Sequence, residues 1–264
     1  MTDTSVGVVF TPSSPPERLR EVAQAAEAAG FAQLWLWEDC FYEGGLTSAT
    51  AALAWTERIQ VGVGLLPVPL RNPALAAMEI ATIARMFPGR FRPALGHGNL
   101  EWMEQAGARV PSPMTLLREY TTAVRDLLHG RTVDVEGRYV RLRDVTLDWP
   151  PVSPPPVLVG GRGPKTVRLA GEIGDGILLD AGFALDRVRE VFATAAEGRS
   201  AAARTDPFDN VVFVELDPAS ADLGAQMDES IATLSGIGAD TVVFHGKEPS
   251  FDPEPLIEAW RKRG

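Results

Sequence analysis

Pro156-Val157-Leu158-Val159-Gly160-Gly161-Arg162-Gly163-Pro164-Lys165 sets a strand, a turn and a helix start end to end. Val157, Leu158 and Val159 form a short run with no polar residue, the pattern of a strand buried on both faces. Glycines at 160, 161 and 163 then break the run. Glycine allows backbone conformations closed to other residues and lets a ligand come close to the main chain. Pro164 opens a helix, because in the first turn its missing N–H has no partner to lose. The bare N–H groups of that turn, beside Arg162 and Lys165, attract an anion. The residues point to a turn that holds a phosphate. A strand-to-helix turn with no ligand satisfies the same pattern, so the rest of the chain has to decide.

Outward from this turn the same unit repeats. Apolar runs at 6–10, 31–37, 59–65, 91–95, 157–159, 176–180, 211–216 and 241–245 read as strands. Between them lie helical stretches. The first opens at Ser14-Pro15-Pro16 and stops at Gly30, and the second covers 48–55. The third runs from Asn72-Pro73 to Pro88-Gly89 and the fourth from Ser112-Pro113 to Gly130. Further helices are expected over 164–171, 185–202, 219–235 and 253–263. Residues 131–155 interrupt the alternation: 132–135, the Glu136-Gly137 turn and 139–142 read as a hairpin, and a proline cluster marks its exit. Eight strands alternating with eight helices imply a parallel sheet with right-handed crossovers, and the count matches an α/β TIM (β/α)8 barrel in one domain over 1–264. An open doubly wound sheet is the alternative. No Gly-x-Gly-x-x-Gly follows the first strand, so a dinucleotide-binding domain has no support.

Composition narrows the partners. The 264 residues carry a net charge of -10 and a single cysteine, Cys40. An acidic surface argues against nucleic acid. One cysteine excludes an internal disulfide and fits a reducing cytoplasm. The start, Met1-Thr2-Asp3-Thr4, has no signal-peptide pattern, and no stretch approaches the roughly 18 apolar residues of a membrane span.

In such a barrel the site lies where the strands end. That singles out Glu38-Asp39-Cys40, Gly64-Leu65, Gly96-His97-Gly98-Asn99, the 160–165 turn, Asp180, Glu215 and His245. Glu38 and Asp39 are neighbours on an extended chain, so one faces the mouth and the other a neighbouring loop. Either carboxylate suits ligand binding or proton transfer, and either suits the cap of the next helix. Cys40 reads more simply as a small buried side chain than as a nucleophile. His97, between two glycines, reads as a ligand contact or proton donor. His129 at a helix end reads as structural. The three histidines are scattered, so no metal site is expected. Trp35 and Trp37 share one face of a strand and, with Trp102, offer walls for a flat ring. At least one of them belongs to the core.

The segments Leu34-Trp35-Leu36-Trp37-Glu38-Asp39, Arg71-Asn72-Pro73, Phe87-Pro88-Gly89-Arg90, Gly96-His97-Gly98, Gly163-Pro164-Lys165, Ala170-Gly171-Glu172 and Asp175-Gly176 together resemble the luciferase-like monooxygenase superfamily. Its members include bacterial luciferase and oxidoreductases that use FMN or the deazaflavin coenzyme F-420. The resemblance covers the chain from the first strand to about residue 180 and implies a TIM barrel with the cofactor ring in its mouth. It assigns Asp39 and His97 as catalytic. Asp39, Gly64, Leu65, Gly96, His97, Gly98 and Asn99 would hold the ring, with a non-prolyl cis bond at Gly64-Leu65, and Gly160, Gly161, Arg162, Gly163, Pro164 and Lys165 would hold the phosphate. Cys40 stands where some of these enzymes carry a catalytic histidine, and Asn99 where some carry glutamate. Residues 205–240 are short where the family often inserts a pocket-shaping segment.

The expected function is hydride transfer between the ring and a small organic substrate, in a cytoplasmic homodimer, with a lean to coenzyme F-420. The alternatives are an FMN-dependent monooxygenase, a member that binds flavin without catalysis, and an unrelated barrel acting on a phosphorylated substrate.

Overall fold

A computed structural model describes residues 4–247 and 252–263. Eight parallel strands close into a barrel: β1 (Ser5–Phe10), β2 (Gln33–Leu36), β3 (Gln60–Pro67), β4 (Phe91–Gly96), β7 (Leu158–Gly160), β8 (Gly176–Leu179), β9 (Asp209–Leu216) and β10 (Thr241–Gly246). Each pairs with the next in that order, and β10 closes on β1 with Val6 opposite Val242 and Val8 opposite Phe244. The helices are α1 (Leu19–Ala28), α2 (Gly45–Ala54), α3 (Pro73–Met86), α4 (Leu100–Gln105), α5 (Pro113–Leu128), α6 (Pro164–Ile173), α7 (Leu185–Ala201), α8 (Leu223–Ser235) and α9 (Glu254–Arg261). Antiparallel β5 (Val133–Glu136) and β6 (Arg141–Val145) form the hairpin.

Two apolar layers follow from the alternation of side chains along each strand. Outward-facing residues such as Val8, Leu34, Leu36, Val61 and Leu95 join the buried faces of the helices. Inward-facing Val9, Trp35, Ala94, Leu158, Leu178, Val211, Phe213 and Val243 fill the barrel. The Trp35 indole needs the space that Gly62 leaves opposite it: a β-carbon there would overlap the ring. Trp35 Nε1 donates to Gln33 Oε1 at 2.8 Å, and Arg92 meets Asp209 at 2.5 Å. These polar groups lie toward the strand starts, leaving the strand ends for chemistry.

Three details differ from the pattern of the sequence. The segment after β4 forms an extra short helix, α4, whose cap is Asn99: its Oδ1 accepts from the Glu101 N–H at 2.9 Å. Helix α8 starts only at Leu223, because a turn occupies 217–222. The second hairpin arm starts at Arg141 because the Glu119 carboxylate, on α5, collects the N–H groups of Arg138, Tyr139 and Val140 at 2.8–3.0 Å and holds 137–140 as a turn. The cis bond expected at Gly64-Leu65 is present, and a second one joins Cys40 to Phe41.

Candidate functional site

A cavity of about 490 Å³ opens at the strand ends. That is the size of small-molecule sites in general. The segment just after β2 supplies Trp37, Glu38 and Asp39, and β3 supplies Gly64, Leu65 and Pro67. The loop after β4 supplies His97, Gly98, Asn99 and Trp102, and the turn after β7 supplies Gly160, Gly161 and Arg162. Leu178, Asp180 and Phe213 complete it from β8 and β9. Of the residues expected at the site, Gly96, Gly163, Pro164 and Lys165 flank this cavity without lining it.

The two adjacent carboxylates divide as their neighbours dictate. Glu38 turns back into the protein. Arg71 grips both of its oxygens, one at 2.7 Å, and the Gly45 N–H donates to it at 2.7 Å. It therefore serves as the cap of α2, whose own cap residue Gly44 has no side chain for that task. Asp39 faces the mouth. Burial pushes its carboxyl above the usual aspartate range, and the charge of Asp180 adds to the shift.

Leu65, the residue after the cis bond, forms part of the floor. A β-carbon on either Gly96 or Gly160 would overlap its side chain, so both glycines give it room. Gly98 has φ +68° and lies against Pro67 and Met103, where no other residue fits without strain. This bends the chain so that His97 reaches across to α6. Its Nε2 lies 3.3 Å from Thr166 Oγ1, while its Nδ1 is buried without a partner. Burial holds the imidazole below the usual histidine range, so the ring is neutral near pH 7.

The aromatics separate as well. Trp35 is wholly enclosed, whereas Trp37 lines the cavity, stacks on Phe213 with centroids 6.2 Å apart and meets the edge of His245 at 5.0 Å. At the turn after β7, Gly163 precedes α6 and no side chain caps the helix, which leaves its first N–H groups without a side-chain partner. Arg162 stands at the rim, paired with Asp180 at 3.0 Å and lying 4.7 Å over the Phe183 ring.

Glu38, Trp37 and Asp180 stand at strand ends and are visible to the same sequence rule as Asp39. Leu178 and Phe213 carry no local signal, being ordinary inward strand residues. Among the described residues no three His, Cys, Asp or Glu side chains converge on a metal-sized space. No described helix is long and apolar enough to cross a membrane.

The chain is 28% identical over 250 residues to the 5,10-methylenetetrahydromethanopterin reductase of Methanolobus tindarius, covering 92% of this chain and 76% of that one. It is 33% identical over 227 residues to the F-420-dependent glucose-6-phosphate dehydrogenase of Kineococcus radiotolerans, covering 78% of this chain and 66% of that one. Among solved structures, an F-420-dependent secondary alcohol dehydrogenase with an F-420-acetone adduct has the same fold, with a TM-score of 0.86, 20% identity and 98% of each chain covered. The oxygenating component of a 3,6-diketocamphane monooxygenase from Pseudomonas putida, in complex with FMN, has a TM-score of 0.76 at 16% identity over 98% of this chain and 96% of that one. The model described as luciferase-like monooxygenase matches residues 2–249, and the chain belongs to that family.

Proposed function

We propose that this chain, an oxidoreductase of the luciferase-like class, works with coenzyme F-420 or, as the second choice, FMN, and acts on a small organic molecule. One observation carries the reading. One cavity combines the Trp37, Leu65 and Phe213 walls, the His97 ring and the 160–162 turn that leads into the uncapped start of α6. A flat ring suits the apolar end, and a phosphate suits the helix end. The residues present therefore fit the cofactor.

Bound there, a flavin or deazaflavin supplies the acceptor or donor of a hydride. The chain's own part is to orient, to exclude water and to place a proton. Trp37, Leu65 and Phe213 wall the mouth. Gly160, Gly161, Arg162, Gly163 and the first turn of α6 receive the phosphate, with Pro164 and Lys165 completing that turn. Gly64 and Gly96 set the floor, and Gly98 and Asn99 set the rim. Asp39 holds a proton to a higher pH than a surface aspartate does, and neutral His97 has a ring nitrogen to exchange. These are the two groups that move a proton during turnover. The lean to coenzyme F-420 is supported by the F-420-dependent dehydrogenases among the relatives and structural neighbours.

The chain is further proposed to form a homodimer. The outer face of α3 leaves Leu75, Met78 and Met86 exposed, beside Trp149 after the hairpin. A free thiol at Cys40 suits a cytoplasmic setting.

Titrating the protein into F-420, and separately into FMN, while following ring fluorescence tests the cofactor assignment. Gly163→Asp tests the phosphate site. Nothing lies within 4 Å of a β-carbon at 163, and an aspartate there can cap α6, so the fold persists. Cofactor affinity should fall at least tenfold through repulsion of the phosphate. Unchanged affinity would overturn the assignment.

A further inference from the structure

Thr166, on α6, stands where three segments of the barrel mouth meet, and it is 8% exposed. Its hydroxyl oxygen lies 3.3 Å from Nε2 of His97, on the loop after β4, and 3.4 Å from Sδ of Met114, in the first turn of α5. Its methyl group packs on the turn after β7: a β-carbon on Gly161 would fall 2.3 Å from Thr166 Cγ2. A threonine has few side-chain rotamers in a helix. The methyl held against Gly161 favours the one in which Oγ1 meets His97.

The placing of hydrogens decides how these groups are joined. A thioether sulfur only accepts, so the Thr166 hydroxyl donates to Met114 Sδ. Thr166 Oγ1 then has lone pairs to offer, and His97 Nε2 carries the hydrogen that it donates to them. All three groups are satisfied, and the lone pair of the ring falls on Nδ1. In the opposite arrangement Thr166 donates to a bare Nε2. The sulfur then loses its donor, and the ring hydrogen moves to Nδ1, which is buried and has no partner among the described residues. An orphaned buried N–H is rarer in proteins than an orphaned acceptor.

We infer that Thr166 is a positioning residue: with Met114 as its acceptor, it holds the His97 ring and fixes it as the Nε2–H tautomer. A proton added to this ring forms its bond at Nδ1. The hydrogen bond from Nε2 to Thr166 Oγ1 persists and strengthens as it becomes charge-assisted. On the cofactor reading above, His97 thus enters turnover as an acceptor of a proton and not as a donor. Only this last statement rests on that reading, and the tautomer itself is measurable without any cofactor.

The test is nitrogen NMR of the cofactor-free protein labelled in its histidine rings, at about pH 8, above the ordinary histidine range. The His97 signals are assigned by their loss in His97→Gln. The wild type should show a hydrogen on Nε2 and a bare Nδ1. Thr166→Val keeps the branched shape and removes the hydroxyl, so the two ring signals should shift toward each other as both tautomers populate. Thr166→Ser restores the hydroxyl and should restore the wild-type signals. Met114→Leu keeps the volume and removes the acceptor, which frees the Thr166 hydrogen for Nε2, and its signals should shift in the same direction as those of Thr166→Val. The inference is overturned by a wild-type ring with its hydrogen on Nδ1, by unchanged signals in Thr166→Val or in Met114→Leu, or by a serine that does not restore what valine removes. If Thr166→Val does not fold, Met114→Leu alone decides by the same criterion. A failure of F-420 and FMN to bind while the ring signals behave as expected would reject the cofactor reading and leave the role of Thr166 standing.

Discussion

Two neighbouring carboxylates should answer oppositely to the same change. Glu38 is 7% exposed in its side chain and Arg71 20%, and three hydrogen bonds converge on Glu38, two from Arg71 and one from the Gly45 N–H. Glu38→Gln keeps the shape, removes the charge and turns an NH2 group toward donors that need an acceptor. Breaking a pair buried to this degree costs about 3 kcal/mol. For a chain of this size that lowers Tm by about 6 to 12 °C. Asp39 has no ion-pair partner among the described residues, and its carboxyl is raised by burial and by Asp180. A group raised in the folded state favours folding fully below its unfolded pKa, about 3.9. That contribution is lost as pH rises through the folded value. Asp39→Asn removes the loss, so at pH 7 its Tm should equal or exceed that of the wild type, while turnover and ring binding fall. Differential scanning fluorimetry from pH 4 to 8, beside cofactor fluorescence, reads both effects. Equal losses of Tm in the two variants, or a Glu38→Gln protein that melts with the wild type, would refute the division of labour.

Arg162→Leu should weaken cofactor binding about threefold to tenfold. The difference from wild type should shrink with added salt, because Arg162 and Asp180 are both more than half exposed; a salt-independent difference would count against a charge contact. Met78→Glu places a charge on the exposed face of α3, where Met78 is 56% exposed. Sedimentation velocity should show the proposed dimer dissociating while Tm shifts by less than the equivalent of about 0.5 kcal/mol, and a species of unchanged mass would reject α3 as the interface.

The barrel was legible because punctuation and period agreed. Pro73, Pro113 and Pro164 stand at the first helical position, and Gly30 and Gly130 end helices with positive φ. The strand-end rule then brought Asp39, His97 and the 160–162 turn to one cavity. What stayed unread depends on partners far along the chain. Whether Glu38 or Asp39 faces the mouth is decided by Arg71, and nothing in Trp-Glu-Asp encodes that. Helix α4 has six residues, too few for a period to show. Phe213 and Leu178 line the site only because the barrel closes. The cis bond at Cys40-Phe41 has no sequence signature, since the residue that follows is not proline.

The charges of the mouth also restrict how it can hold a phosphate. Asp39 and Asp180 face it, Glu43 lies across the β2 loop, and the whole chain is acidic at -10. Long-range attraction therefore opposes an anionic ligand. Arg162, the one cationic side chain lining the larger cavity among the described residues, is already paired with Asp180. On the proposed assignment, phosphate binding would draw mainly on the fixed N–H groups at the start of α6, which carry no counter-charge to displace. If Arg162 turns from Asp180 to the phosphate, Asp180 loses its partner. Its charge then raises the Asp39 carboxyl further, in the direction in which it already acts. Seating the phosphate at one end of the cavity thus favours the protonated form of Asp39 at the other. On the proposed phosphate assignment, the site would hold that proton more firmly once the ligand is in place.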